Sequence, residues 1–152
     1  MRIEGSFTVS APRERVFAEI TNPVLMASCI PGCEAIEIID SKTYRARILV
    51  EVGPIKARFN LVVELTAEHP PTRVLSITRG EEGGRASMLN ANNELLLEAT
   101  ANGGTEVKYI SDVTVTDRLG EFGFGIMKKR SETLAAKFVQ AFRGQLEVGA
   151  MP

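Results

Sequence analysis

Two cysteines and one histidine are the side chains with the clearest capacity for metal or redox chemistry in this 152-residue chain. Cys29 and Cys33 flank an Ile-Pro-Gly turn, and His69 precedes two prolines. A structural zinc ion usually takes four cysteine or histidine ligands, so this set is too small and we predict no metal site. The thiols either join in a disulfide across the turn or, as we prefer, act as small buried apolar groups.

Two neighbouring glutamates are the remaining candidates for acid–base chemistry. Glu81 and Glu82 lie within the glycine-rich segment Gly80–Gly84, which we interpret as a hairpin loop and a candidate lid over a cavity. Two carboxylates would repel a phosphate, the segment lacks the lysine of a phosphate cradle, and so mobile a loop is poorly suited to glycoside chemistry. With a single histidine in the chain, we predict no catalytic residues and no enzyme.

Three asparagines interrupt an otherwise apolar strand pattern. Asn90, Asn92 and Asn93 lie in the predicted strand Arg85–Ala99, where asparagine is disfavoured. Alternation places Asn90 and Asn92 on the same face as Met88, and Asn93 on the opposite face. The asparagines face solvent, mark an edge or bulge, or offer an amide to a polar ligand group, and we assign Asn90 to the ligand site.

Tyrosines and methionines are suited to the wall of a pocket for a lipophilic ligand. Tyr44 and Tyr109 each combine an apolar ring with a hydroxyl that can donate to a quinone carbonyl or to the backbone. Met26, Met88 and Met127 are adaptable side chains that line pockets of loose specificity but equally fill ordinary cores. Both interpretations stay open at this level.

The pattern of apolar residues predicts the elements that position these side chains. Strict alternation, cleanest from Ile55 to Ala67, indicates half-buried antiparallel strands, whereas residues 126–146 repeat at the three- and four-residue steps of an amphipathic helix. In chain order we predict a strand at 2–10, a short helix that starts near Pro12 and is stopped by Asn22-Pro23, and a second short helix at 24–28. Strands follow at 34–40, 43–52, 55–67, 74–79, 85–99 and 106–117, and then that final helix.

This order predicts an α+β fold in which the C-terminal helix covers the apolar face of one antiparallel sheet. A sheet of this size twists and curls while the helix is straight, so the two separate in places and leave an apolar cavity. The competing interpretation is that large aromatic side chains fill the space, because protein interiors pack densely. The candidates for filling it are Phe59, Phe122, Phe124, Phe138 and Phe142.

A series of short motifs runs from the first strand to the last helix. In order they are Ala11-Pro12-x-Glu14-x-Val16-Phe17, Asn22-Pro23, Cys29-Ile30-Pro31-Gly32-Cys33, Val52-Gly53-Pro54-Ile55-Lys56-Ala57-x-Phe59, Pro70-Pro71 and Gly83-Gly84-x-Ala86. In order and spacing this series resembles the family of the carbon monoxide dehydrogenase G subunit, within the START-like helix-grip (SRPBCC) superfamily. The resemblance implies a helix-grip fold, with a curved antiparallel sheet of about seven strands wrapped on the long C-terminal helix and two short helices after strand 1. It also implies that residues 1–152 form a single START-like helix-grip domain.

The resemblance further implies an accessory role beside molybdenum hydroxylases such as carbon monoxide dehydrogenase. In that role the protein binds a hydrophobic small molecule, a quinone or a lipid, requires no cofactor, and recruits or couples the enzyme to the membrane. Two alternatives remain: an adaptor that acts through its surface without a ligand, and a cyclase- or aromatase-like enzyme on the same fold. Longer members carry an apolar membrane-associating tail, whereas this chain stops at Pro152, so we expect no autonomous anchoring.

We predict that the cavity is lined by residues of the strands, the second short helix and the final helix, with one or two polar contacts that orient the ligand. These residues are Met26, Tyr44, Ile48, Phe59, Leu61, Met88, Asn90, Tyr109, Met127, Leu134 and Phe138.

Charge and hydropathy exclude several other classes of protein. The 18 basic and 19 acidic residues give a net charge of −1, which argues against a nucleic-acid partner. The first residues lack the pattern of a signal peptide, and no run of about 18 apolar residues provides a transmembrane helix. We therefore expect a cytoplasmic protein, with peripheral contact at the membrane.

Overall fold

The computed structural model describes residues 2–52, 55–83, 87–117 and 123–150, with some side chains of the last helix and of the segment ends left undescribed. Within these residues the chain forms the following helices and strands: Arg2–Val9 (β1), Arg13–Ile20 (α1), Pro23–Cys29 (α2), Cys33–Asp40 (β2), Thr43–Val52 (β3), Ile55–His69 (β4), Arg73–Glu82 (β5), Ser87–Ala99 (β6), Thr105–Asp117 (β7) and Gly123–Ala150 (α3).

The strands form one antiparallel sheet in the order β1-β7-β6-β5-β4-β3-β2. Strands β2 to β7 are joined to their spatial neighbours in sequence, while α1 and α2 carry the chain from one edge strand, β1, to the other, β2. The long helix α3 follows the last strand. This arrangement confirms the predicted α+β helix-grip fold, including the two short helices after the first strand.

The sheet has an apolar inner face and a polar outer face because each strand alternates in the same register as its neighbours. On the inner face Phe7, Val107 and Leu97 are paired across β1, β7 and β6. The residues between them along each strand, such as Glu98 and Glu106, point to the outer face. The inner face is the one against which the helices pack.

One end of the inner face is densely packed against α3. Phe142 is fully buried there, and the rings of Phe7 and Phe138 lie 6.2 and 5.9 Å from its ring centre. The guanidinium of Arg143 donates two hydrogen bonds, of 3.1 and 2.9 Å, to the carbonyl oxygen of Thr8. These contacts fix the C-terminal half of α3 to β1.

The connection between α2 and the sheet depends on local backbone chemistry. The Asn22 side chain accepts hydrogen bonds from the backbone N–H groups of Val24 and Leu25, at 3.1 and 3.3 Å, and so caps α2. After α2, Gly32 adopts a φ of +81°, and a Cβ at this position would overlap the Leu49 carbonyl oxygen. A side chain at Gly32 is therefore excluded both by conformation and by space.

The predicted loop Gly80–Gly84 is wrong over its first residues, because β5 continues through Glu82. Gly80 pairs with Leu61 of β4 and with Leu89 of β6, and a Cβ on it would overlap the Cδ2 atom of Leu61. The glycine thus serves close packing between strands rather than a turn. Gly84 lies outside the described residues.

Candidate functional site

The middle of the inner face stays partly exposed although both of its ends are closed. Ala57 and Phe59 are 1% and 3% exposed at one end, and Leu97 and Val107 are 2% and 0% exposed at the other. Between them lies a set of inward-facing side chains that are only partly buried, which we call the central patch: Leu61, Val63, Ser76, Thr78, Leu89, Asn93, Ser111, Val113 and Val115. These side chains therefore keep accessible surface on the face against which the helices pack.

A polar cluster lies within the central patch. The Asn93 amide nitrogen donates to the hydroxyl oxygens of Ser76 and Thr78, at 3.3 and 3.1 Å, and its carbonyl oxygen accepts a hydrogen bond from the Ser111 hydroxyl. The three strands β5, β6 and β7 bring these side chains together because Asn93 is paired with both Ser76 and Ser111. We call these four residues the Asn93 cluster.

The Asn93 cluster offers hydrogen-bond donors on an otherwise apolar wall. Ser76 and Thr78 accept from the amide, and each hydroxyl keeps a proton of its own to donate. Two adjacent donors suit an acceptor oxygen, such as a carbonyl or carboxylate oxygen, on a ligand whose remaining surface is apolar. A purely hydrocarbon ligand that displaced water would leave the protons of both hydroxyls without an acceptor, which costs free energy.

A smaller pocket opens where α1 and α2 meet β3 and β4. It has a volume of about 60 Å³, and its walls include Met26, Tyr44, Val63 and Ser76. That volume holds about two water molecules rather than a ligand of quinone size.

Tyr44 is 8% exposed, and burial raises the pKa of its phenol to about 12, with a smaller contribution from Cys33. The hydroxyl therefore stays protonated and can act as a hydrogen-bond donor.

Most of the predicted ligand residues do lie on or beside the inner face. Their structural positions are as follows: Tyr44 and Ile48 are buried on β3, Phe59 is buried and Leu61 half-buried on β4, Tyr109 lies over Gly5, Met26 borders the small pocket, Leu134 is half-buried on α3, and Phe138 stacks on Phe142. Met127 belongs to α3, but its side chain lies outside the described residues. Whether these residues bind a ligand stays a prediction.

Met88 and Asn90 do not face the interior, so their assignment to the cavity is corrected. In β6 the inward set is Leu89, Ala91 and Asn93, and the residues between them point outward. The sequence pattern separated the two faces correctly, but the inward one is the face that carries Asn93. The Asn93 cluster was missed for this reason, although the alternation of β6 with Leu95 and Leu97 was the signal that could have found it.

A second cavity lies on the outer face of the sheet. It is a groove of about 590 Å³ that crosses five strands, from β2 to β6, with Ile36, Ala46, Leu61, Gly80 and Leu89 forming its floor through their backbones. Two rows of cross-strand neighbours form its walls: Ala35, Arg47, Asn60, Glu81 and Met88 in one, and Glu37, Arg45, Val62, Arg79 and Asn90 in the other. We call this feature the outer groove.

The thiols and the glutamates have different surroundings from those expected of reactive groups. Cys29 is buried in the main core cluster, where burial raises the pKa of its thiol, and Cys33 is half-buried. Both are free thiols rather than a disulfide.

Glu82 is 6% exposed and lies opposite Phe59 on the inner face, which is inconsistent with a place in a mobile lid. Among the residues that the structure describes, no group of three or more potential metal ligands comes together.

Comparison with known sequences identifies the family. A sequence model described as the G subunit of carbon monoxide dehydrogenase (CoxG) matches residues 5–147. The chain belongs to this family. The match confirms the resemblance seen in the motifs, which lie within the same span. Among curated proteins, none matches the chain significantly.

Solved structures with low sequence identity share the fold. A conserved protein from Geobacillus kaustophilus superposes with a TM-score of 0.88 at 20% identity, over 97% of this chain and 95% of that one. A protein from Thermus thermophilus gives 0.74 at 13% identity, over 99% and 100% of the two chains. A START superfamily protein from Mycobacterium smegmatis gives 0.71 at 14% identity, over 96% and 97%. This member of the CoxG family therefore has a START-like fold.

The helices that the structure describes do not include a membrane span: none of them combines the length and the apolar character that crossing a bilayer requires.

Proposed function

We propose that this member of the CoxG family binds a hydrophobic molecule, such as a quinone or a lipid, between the inner face of the sheet and α3. It acts as a non-enzymatic accessory protein of a molybdenum hydroxylase of the carbon monoxide dehydrogenase type, and helps to recruit or couple that enzyme to the membrane. Family membership supports the accessory role, and the START-like fold supports ligand binding.

The partial exposure of the central patch carries this proposal. Leu61, Val63 and Val113 face the helix side of the sheet, yet each keeps accessible surface. Covering apolar surface of this kind with a ligand is favourable by about 25 cal/mol per Å². The small pocket beside Tyr44 is too narrow for a whole quinone, so we assign the main body of the ligand to the space over the central patch.

The Asn93 cluster supports a ligand with an acceptor oxygen. A quinone carbonyl or a fatty-acid carboxylate can accept hydrogen bonds from the Ser76 and Thr78 hydroxyls while its apolar part covers the valines and leucines around them. Such a pair of contacts orients a ligand whose affinity comes mostly from exclusion of water.

Exposed aliphatic residues near the small pocket support peripheral contact with a membrane. Val24 on α2 is 57% exposed, and Ile36, Ile38 and Ile39 on β2 are 36%, 46% and 45% exposed. Ile38 is paired with Tyr44, so this apolar edge adjoins the small pocket. A lipophilic ligand could pass from the bilayer to the interior along this edge without exposure to water.

Binding of a defined quinone tests the proposal. Decylubiquinone should raise the melting temperature of the wild-type protein, and native mass spectrometry should show a one-to-one complex. Val63→Phe fills space at the central patch and should weaken binding about tenfold or more. Val62→Phe adds the same ring at the neighbouring residue, which faces the outer side, and should leave binding unchanged.

The hydroxyl contribution has its own matched pair. Thr78→Val removes an inward hydroxyl at almost constant shape and should weaken decylubiquinone binding by about tenfold, whereas Thr114→Val on the outer face of β7 should not. A wild-type protein that shows neither a complex nor a thermal shift with decylubiquinone or oleic acid would contradict the proposal and favour the adaptor that acts through its surface.

The enzymatic alternative would need an acid–base pair inside the cavity. In the register of the sheet, Glu82 of β5 lies opposite Phe59 of β4, and Tyr44 of β3 lies opposite Val63 of β4. Phe59 and Val63 are four residues apart along β4. That separation corresponds to about 13 Å along the strand, which is too far for direct proton transfer between the two side chains. This distance favours the non-enzymatic accessory role.

A further inference from the structure

The outer groove contains a group of arginines whose charges are not taken up by ion pairs. Arg45, Arg47 and Arg79 are exposed, and none of the three has a hydrogen bond or ion pair with another residue that the structure describes. Four other basic side chains on the strands are paired with carboxylates at 2.5–3.2 Å: Arg2 with Asp112, Arg58 with Glu34, Arg73 with Glu94 and Lys108 with Glu98. The groove therefore brings together three arginine charges that remain available to a partner.

The arginines stand on both walls of the groove. Arg47 shares one wall with Glu81, and Arg45 and Arg79 belong to the other wall, separated by Val62. Adjacent strands are about 4.8 Å apart, so Arg45 and Arg79 are about 10 Å apart and the groove is about 19 Å long. These spacings match a segment of about six residues in the extended polyproline II conformation, which rises about 3.1 Å per residue and places every third side chain on the same face. Acidic side chains three positions apart then lie about 9 Å apart on one side of the segment, as the two arginines require.

We propose that the outer groove binds an extended peptide segment that carries acidic side chains, with Arg45, Arg47 and Arg79 holding its carboxylates. Guanidinium groups bind carboxylates through paired hydrogen bonds, which gives both attraction and orientation. Val62, 36% exposed between Arg45 and Arg79, contacts an apolar residue between the two acidic ones. Glu37 beyond Arg45 disfavours further acidic residues at that end of the groove, so the negative charges of the segment lie over β3 to β5.

This site faces away from the inner cavity, and the proposal does not depend on a ligand being bound there. A groove between two rows of side chains accommodates a single extended chain, whereas a bilayer surface would meet the tips of both rows. The shape of the site thus favours a peptide over an anionic membrane.

Fluorescence anisotropy with labelled peptides of about six residues tests the proposal. One peptide carries two glutamates separated by two valines, and its control carries glutamines in place of the glutamates. The acidic peptide should bind the full chain at least about tenfold more tightly than the control, and its affinity should fall as salt is raised. Arg45→Gln combined with Arg79→Gln should reduce that affinity about tenfold or more, as should Arg47→Gln alone to a smaller extent.

A double variant of ion-paired arginines provides the matched control. Arg2→Gln with Arg73→Gln removes the same charge from the same sheet and should leave peptide binding within about twofold of the wild type. Equal binding of the acidic and glutamine peptides, or equal loss in both double variants, would overturn the proposal. Arginine-dependent binding to phosphatidylglycerol vesicles without binding of the acidic peptide would also overturn it and assign the groove to a membrane.

Discussion

At the scale of single residues, Gly32 shows how one backbone conformation positions an edge strand. Its φ of +81° turns the chain from α2 into β2, and its Cα lies against the Leu49 carbonyl of β3. The Leu49 backbone N–H in turn donates a 2.9 Å hydrogen bond to the Gly32 carbonyl oxygen. Conformation and close approach therefore both require glycine at this position.

Gly32→Ala should destabilise the protein more than Gly103→Ala. Both glycines have a φ of +81°, but a Cβ at Gly103 would meet no atom within 4 Å. Gly103→Ala should thus lower the free energy of unfolding only by the conformational penalty, about 1–2 kcal/mol. Gly32→Ala should lower it by at least about 1 kcal/mol more. Urea unfolding of both variants measures the difference, and equal losses would contradict the role of the Leu49 contact.

Tyr44 should make stability fall at alkaline pH. Burial raises the pKa of its phenol from 10.0 to about 12, so between these values the unfolded chain releases a proton that the folded chain keeps. The unfolded state then holds fewer protons, and the stabilisation that is complete below pH 10 is lost as the pH rises towards 12. The loss should reach about 2–3 kcal/mol.

Comparison with Tyr44→Phe isolates this effect from other alkaline titrations. The phenylalanine variant should lose about 2–3 kcal/mol less than the wild type between pH 9 and pH 12 in urea unfolding, with the sign given by linkage. Tyr109→Phe retains Tyr44 and should behave like the wild type. A Tyr44→Phe variant with an unchanged alkaline loss would show that this phenol is not the responsible group.

At the scale of elements, the attachment of α3 depends on its C-terminal half. Phe142 is 0% exposed, belongs to the main core cluster and contacts the rings of both Phe7 and Phe138. Arg143 at the next position ties the same turn to the β1 backbone. The helix is thus held firmly at one end, while the central patch stays partly uncovered.

Phe142→Ala should therefore cost about 3–5 kcal/mol of folding free energy, the range for truncating a buried aromatic side chain. Lys137→Ala, an exposed position on the same helix, should change the free energy by less than about 0.5 kcal/mol. Chemical denaturation measures both. A loss below about 1 kcal/mol for Phe142→Ala would mean that α3 is not held by this contact.

At the scale of the whole molecule, the curvature of the sheet and the length of α3 together decide where space remains. The inner face is closed at one end, around the buried Phe142 and Leu97, and at the other end, around the buried Ala57 and Phe59. Between these two ends the inner face is partly exposed. The outer face carries a separate groove. The two proposed binding surfaces thus lie back to back on the same strands, with opposite chemistry imposed by alternation.

The prediction that residues 1–152 fold as one domain can be tested by calorimetry. Unfolding should be a single cooperative transition in which the calorimetric enthalpy equals the van't Hoff enthalpy. Decylubiquinone at a hundredfold excess over its dissociation constant should shift the whole transition, by about 2.7 kcal/mol. Two separate transitions, or a ligand effect on only part of the signal, would contradict the single domain.

Much of the fold and part of the site could be predicted from local patterns. The alternation from Ile55 to Ala67 identified β4 and its inward residues Phe59 and Leu61, and the three- and four-residue steps identified α3. The Asn22-Pro23 motif marked the end of the first short helix, and α1 ends at Ile20, just before it. These features are readable because they depend on neighbours in the chain, and they include the motifs that indicated the CoxG family.

Contacts between distant strands decided the rest. The sequence pattern ended the fifth strand before Gly80, but pairing with β4 and β6 extends β5 to Glu82. Glycine is required at position 80 because Leu61 occupies the space that a side chain would need. Alternation divided β6 into two faces, and Leu95 and Leu97 marked the face of Asn93 as the inward one, but only the register against β5 and β7 brought Ser76 and Ser111 beside Asn93. Period-two patterns define the apolar and polar faces of a strand, whereas tertiary packing alone determines which side chains from separate strands form one site.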